Sequence, residues 1–138
     1  MPAPAKAHTK AGAKAFVRHF VSVVNYAEHT GDTPAISALS AEGCTGCSAG
    51  VRTVSKVYKA GGRIVGGDST LQNSTVELGW AGQVAIAHVT ASVKSTVEIH
   101  DYPGDNRDTR RPATATRTRF LLMQDGDGWR VAQIEAAS

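Results

Sequence analysis

The stretch Val57-Tyr58-Lys59-Ala60-Gly61-Gly62-Arg63-Ile64-Val65 divides the chain in two. Before it, apolar residues recur every three or four positions; after it, they recur every two. Gly61-Gly62 supplies a left-handed helix stop at the boundary. A run of helices followed by a run of strands predicts an α+β domain, with three N-terminal helices packed on an antiparallel sheet.

Upstream of the boundary, Ala13, Phe16, Val17, Phe20, Val24 and Ala27 form one apolar stripe and predict a helix over Lys10–Thr30, ended by Gly31-Asp32. Thr33-Pro34 starts a short helix to Leu39. Val51, Val54, Val57 and Tyr58 make the stripe of a third helix over Ser48–Ala60. Downstream, Arg63–Val65 is a short strand that breaks at Gly66-Gly67. Val76, Leu78 and Trp80 alternate with polar or small neighbours, as in a half-buried strand. Val84–Ile99 reads as one long strand whose apolar parity changes, which predicts a β-bulge near Ala87-His88. Asp101–Pro112 reads as a polar loop and Ala113–Gln124 as a strand. Asp125-Gly126-Asp127-Gly128 makes a hairpin turn, and Trp129–Ala136 closes the sheet.

The chain has 138 residues, 41% hydrophobic and 20% charged, with a net charge of +3. That size suits one domain, and roughly two thirds of its unfolded surface can be buried. Residues 1–9 are Ala/Pro/Lys-rich without an apolar core and read as a flexible linker ahead of a domain at 10–138. No apolar run approaches the ~20 residues of a membrane helix. The charge is too small to imply nucleic acid, and Arg117, Arg119, Lys94 and Arg130 have no aromatic platforms among them.

Three N-terminal helices, a curved antiparallel sheet and a closing Gly128-Trp129 strand resemble the nuclear-transport-factor-2-like (SnoaL-like) superfamily. The resemblance implies a cone-shaped fold with a sheet of four to six strands. Narrower likeness is carried by Ala11-Gly12-Ala13-Lys14-Ala15-Phe16-Val17-Arg18, Asn25-Tyr26-Ala27, Thr30-Gly31-Asp32, Cys44-Thr45-Gly46-Cys47 and Tyr58-Lys59-Ala60-Gly61-Gly62. These segments resemble a family of small actinobacterial proteins of unknown function, typically exported and often lipoproteins. The likeness implies an extracytoplasmic location, with any membrane attachment through a lipid anchor that this sequence does not show. It carries no catalytic residue.

Cys44 and Cys47 are the two cysteines. A redox pair wants a strand before the CxxC, and a structural zinc site wants four ligands. His8, His19, His29, His88 and His100 show no ligand spacing, so no metal and no cofactor is expected. A local disulfide is favoured by export and contributes ~2 kcal/mol in the chain-entropy account; free thiols are the alternative.

The expected concave face carries Val76, Leu78, Trp80, Val89, Ala91, Val93, Thr116, Thr118 and Phe120. Of these, Trp80, Val89, Val93, Thr116, Thr118 and Phe120 are the expected ligand-binding set. The face has no carboxylate and no base, whereas proton-transfer enzymes need a titratable group in reach of the substrate. Tyr26, Tyr58 and His88 are weak catalytic candidates. The mixed-charge loop of Asp101, Asp105, Arg107, Asp108, Arg110 and Arg111 reads as a lid or partner-binding loop, or as a solvated hairpin loop. Three functions are therefore open: a non-catalytic module binding a small apolar ligand or a cell-envelope partner, a small isomerase or hydrolase working inside the cone, and a dimeric scaffold pairing through Leu121 and Met123 on the outer sheet face. An ionisable side chain inside the pocket separates the first from the second.

Overall fold

The computed structural model describes residues 3–104, 108–126 and 128–137, with side chains from residue 5 onward. Asp105 and Arg107 of the mixed-charge loop, and Asp127 of the hairpin, lie outside the described residues. A single 3-10 turn, Ala3–Lys6, leads into α1 (Lys10–Thr30), α2 (Pro34–Ala38) and α3 (Thr45–Lys59). Seven strands follow among the described residues: β1 (Arg63–Gly66), β2 (Ser69–Ala81), β3 (Val84–Ser95), β4 (Glu98–Asp101), β5 (Thr109–Arg111), β6 (Thr114–Asp125) and β7 (Gly128–Ala136). The domain is α+β, as expected. Its strands form two antiparallel sheets rather than one, in the orders β2-β3-β6-β7 and β1-β4-β5.

Helix α1 covers the larger sheet. Thr9 caps its start by accepting from Gly12 N at 2.9 Å, and Gly31 ends it in the left-handed region. Ala13, Phe16, Val17, Phe20 and Ala27 of the stripe are buried against Val76, Ala87, Val89, Phe120, Leu122 and Val131. Phe20 meets Phe120 edge to face, ring centres 6.5 Å apart. The Asn25 side chain joins helix to sheet: its Nδ2 donates to Ser69 O and its Oδ1 accepts from Ser69 N, each at 3.0 Å.

Several boundaries differ from expectation for identifiable reasons. The third helix begins at Thr45, because Cys44 caps it and Cys44 Sγ accepts from Cys47 N at 3.2 Å. Cys44 and Cys47 form a disulfide, and both are buried. The bulge expected at Ala87-His88 is absent: β3 stays in register with β6 from Ile86↔Met123 to Ser95↔Thr114. Register shifts fall instead in β2 between Gln72 and Thr75, where Asn73 takes φ 53°, and in β7 opposite Leu121/Leu122. Val84 and Ile86 therefore lie on the outer face, away from Ala85 and Ala87.

The long strand expected over Val84–Ile99 is broken at Thr96-Val97. There the chain leaves β2 and pairs with β1, Gly66 opposite Glu98. The partner arm breaks at the same level, at Gly66-Gly67. Thr96 Oγ1 accepts from Gly67 N at 3.0 Å and from Asp68 N at 3.1 Å, closing the corner. Both glycines have positive φ, and a Cβ would stand 2.1 Å from Val97 O at Gly66 and 2.4 Å from Glu98 Oε1 at Gly67. Part of the expected polar loop is also strand: Thr109–Arg111 pairs with β4 as an exposed edge. A three-residue edge with every side chain in water carries no apolar periodicity, so only its pairing reveals it.

The expected linker is packed on the domain. Ala5 is fully buried, Trp129 Nε1 donates to Ala7 O at 3.1 Å, and His8 lies edge-on to Trp80 and Trp129. Trp129, 2% exposed, thus holds both the last strand and the N-terminal segment. Trp129→Ala is expected to cost about 3–5 kcal/mol in urea unfolding. Trp129→Phe keeps most of the ring but loses the indole N–H, and should cost about 1 kcal/mol while speeding protease cleavage within residues 3–9. Unchanged cleavage in Trp129→Phe would show that this bond does not hold the segment.

Candidate functional site

Three adjoining cavities run between α1, α3 and the strands, and Glu28 lines all of them. The innermost, about 110 Å³, is apolar: Phe20, Val24, Ile36, Val54 and Ile134 surround it with Gly46 and Gly50. The next, about 280 Å³, adds Ala49, Thr53, Ile64, Glu98 and Arg111. A third, about 190 Å³, reaches Gly67, Ser69, Ser95, Thr96 and Thr114 on the side of the strand corner. The result is one cleft, apolar at its inner end and polar at its mouth. Concave sites that hold small molecules share this layout.

Each wall has a local cause. Glu28 sits in the last turn of α1, and its carbonyl accepts from Tyr58 Oη at 2.6 Å, which ties that turn to α3. Tyr58 also packs on Gly31, where a Cβ would stand 2.7 Å from the ring. Helix α3 turns Gly46, Ala49, Gly50 and Thr53 toward the cleft, positions three and four apart and all small. A Cβ added at Gly50 would meet nothing within 4 Å. The corner at Gly66-Gly67 brings Glu98 of β4 and Arg111 of β5 to the cavities that Glu28 lines.

The electrostatics centre on Glu28. Burial, then the neighbouring Glu98 carboxylate, pushes its carboxyl from the ordinary 4.5 up to about 7; Asp68 adds to the rise, while His29 and Arg111 oppose it. Glu28 Oε2 is buried without a hydrogen-bond partner among the described residues. Glu98 Oε2 pairs with His100 Nε2 at 2.8 Å, and His100 is 6% exposed. His29 Nε2 pairs with Asp68 Oδ1 at 2.6 Å on the rim. A carboxyl that titrates near neutrality, beside a buried carboxylate–imidazole pair, can bind a polar group or exchange a proton with one. Among the described residues, no group of three or more His, Cys, Asp or Glu side chains is placed to hold a metal.

The residues singled out from sequence lie elsewhere. Val89 and Phe120 are buried in the packed core, and Val93 lies partly buried against it. Trp80 shares their side of the sheet but is 63% exposed at its far end, beyond the helices, beside Leu78 at 39%. Thr116 and Thr118 bond each other at 3.3 Å near the start of β6. None of these six ligand candidates lines the cleft. Of the catalytic candidates, Tyr26 is 53% exposed, His88 lies on the outer sheet face opposite Leu121, and Tyr58 spends its hydroxyl on Glu28 O. The reading missed Glu28 because it falls off the apolar stripe of α1, as a solvated residue would. Glu98 falls at the end of the strand expected over Val84–Ile99, His100 just beyond it, and Arg111 in the expected polar loop. A depression of about 350 Å³ between α2 and α3 is larger, but its charged residues, Glu42 and Arg52, are both exposed.

The model of a family of unknown function, DUF6318, matches residues 1–135. The chain belongs to the DUF6318 family. No curated protein matches its sequence. In fold, this DUF6318 chain is similar to the crystal structure of the intermembrane space region of the chloroplast protein ARC6, with a TM-score of 0.66 at 12% identity over 94% of this chain and 97% of that one. At that identity the likeness concerns the fold alone.

Two consequences of the geometry can be measured. Glu28 has its carboxyl raised in the folded state, so the folded protein holds a proton that the unfolded chain releases between about 4.5 and about 7. This contribution to stability is full below 4.5 and is lost as pH rises through about 7. Urea midpoints should therefore fall across that window in the wild type and fall less in Glu28→Gln; parallel curves would show that Glu28 does not titrate there. Gly50→Ala replaces a helix-interior glycine facing open space, and should stabilise by about 0.5–1 kcal/mol in the same assay.

Proposed function

We propose that this DUF6318 chain is an extracytoplasmic, nuclear-transport-factor-2-like domain that holds a small amphipathic molecule in the cleft between α1, α3 and the strands. The observation that carries the reading is the position of Glu28, common to an apolar chamber and a polar mouth. An apolar body would fill the chamber beside Phe20, Val54 and Ile134, and a polar end would meet Glu28 and Glu98. In this reading the helices close the base of a cone and the two sheets form its wall. The Cys44–Cys47 disulfide supports an oxidising compartment. The ARC6 region of similar fold is named for an intermembrane space, which agrees with a location outside the cytosol. A cell-envelope component is one source of such a molecule.

A second reading has its own support. Glu28 beside the Glu98–His100 pair places a near-neutral acid or base inside the pocket, the feature that an isomerase or hydrolase of this fold requires. The ligand then leaves chemically changed. Mass spectrometry of a recovered ligand separates the two readings: an unaltered molecule supports binding alone, and product formed by the wild type but not by Glu28→Gln supports catalysis. The dimeric scaffold retains one supporting observation, the adjacency of Ile86, Leu121 and Met123 on the outer face.

Gly50 provides the test of the cleft itself. Gly50→Leu adds a side chain where nothing lies within 4 Å, so the protein is expected to fold while the chamber is filled. In a fragment screen by protein-observed NMR, small amphipathic molecules should shift amides of α1, α3 and β4 in the wild type and leave Gly50→Leu unmoved. Shifts that persist in Gly50→Leu would place the ligand elsewhere.

A further inference from the structure

We infer that the polar group of the molecule in this cleft is a cation on an apolar body, an alkylammonium seated between Glu28 and Glu98. The inference rests on the cleft being a binding site and adds the chemical class of its occupant.

The walls around Glu28 bring two further carboxylates, each paired with a histidine, and one arginine. From β4 comes Glu98, itself mostly buried, with one oxygen committed to His100. From the turn after β1 comes Asp68, paired with His29 of α1 on the rim. From β5 comes Arg111, which is exposed and so is screened by water. Helix α3 adds Ala49, Gly50, Thr53 and Val54, none of them titratable. Among the charged neighbours of Glu28, Glu98 acts most strongly and Arg111 least. Among the described residues, Glu28 Oε2 has no partner while buried. A second carboxylate and an unsatisfied oxygen at one cavity favour a positive group that can donate hydrogen bonds. Below about pH 7 a proton fills that role; an ammonium group can displace it. The apolar chamber that Glu28 also lines takes the alkyl body.

Displacement of a proton makes the binding pH-dependent. An alkylamine stays charged well above neutrality, so its charge does not change between pH 6 and pH 8. The ionised fraction of Glu28 rises about tenfold over that interval if its carboxyl titrates at about 7. Ammonium affinity should rise by the same factor, with release of a proton on binding.

Pentylamine, pentanol and pentanoate share one tail and test the inference by NMR titration of the full chain at pH 6 and pH 8. The expected result is tightest binding of pentylamine at pH 8, a loss of about tenfold at pH 6, and no such dependence for pentanol. Glu28→Gln should lose both the preference and the pH dependence while still binding pentanol. Calorimetry in two buffers of different ionisation enthalpy should show proton release on pentylamine binding to the wild type, which needs no variant to fold. Equal binding of amine and alcohol at both pH values would overturn the cation while leaving the cleft as a site. Tightest binding of pentanoate would overturn it in favour of Arg111 as the polar partner. Binding of none of the three would remove the cleft reading itself.

Discussion

The corner at Gly66-Gly67 against Thr96-Val97 is the constraint on which the arrangement of this domain depends. Two antiparallel arms run through it, β1 into β2 and β4 back from β3, and both leave one sheet for the other at the same level. The bend is possible because neither glycine carries a Cβ: one would strike the Val97 carbonyl and the other the Glu98 carboxylate. Thr96 then satisfies the amides that the bend frees, accepting from Gly67 and Asp68. A straight ribbon would have kept Glu98, His100 and Arg111 on an extension of the larger sheet. The bent one brings Glu98 and Arg111 to the cavities that Glu28 lines.

The same bend sets the electrostatics. A glutamate in the last turn of a surface helix ordinarily points into water and stays ionised. Here Tyr58 holds that turn through the Glu28 carbonyl, and Glu98 of β4 sets a second carboxylate near it. Stability is given up locally: one carboxyl oxygen is buried unpaired, and α3 keeps a glycine in its interior where the structure leaves room for a side chain. Conflicts of this kind between local preference and the fold tend to collect at functional sites. Away from the cleft, Phe16, Phe20, Leu122 and Trp129 pack in a continuous core beneath α1.

Much of the fold was legible because burial leaves a period in the sequence. The stripe of α1, from Ala13 to Ala27, and the alternation of β6 around Phe120 and Leu122 each name a buried face directly. The change of period at Gly61-Gly62 marked the passage from helix to strand. The CxxC spacing allowed a local disulfide, and the structure contains it. Less was legible where two registers were compatible with one pattern. The parity change between Val84-Ile86 and Val89 suggested a bulge, whereas the structure exposes Val84, partly covers Ile86, and keeps β3 regular. The site was least legible of all. Glu28, Glu98 and Arg111 read as solvated residues of a helix end, a strand end and a loop, and Trp80 and Phe120 read as a lining when one is exposed and the other packed.

The sequence by itself determined the fold class, the order of elements, most of the core and the cysteine pair, because these rest on contacts or periods within short segments. Only the tertiary structure decided that Glu28 shares its cavities with Glu98 and Arg111 beside an apolar chamber. Glu28 is separated from the other two along the chain by α2, α3 and β1–β3, and the bend that joins them acts through what glycine lacks, an effect that leaves no periodic trace along the chain.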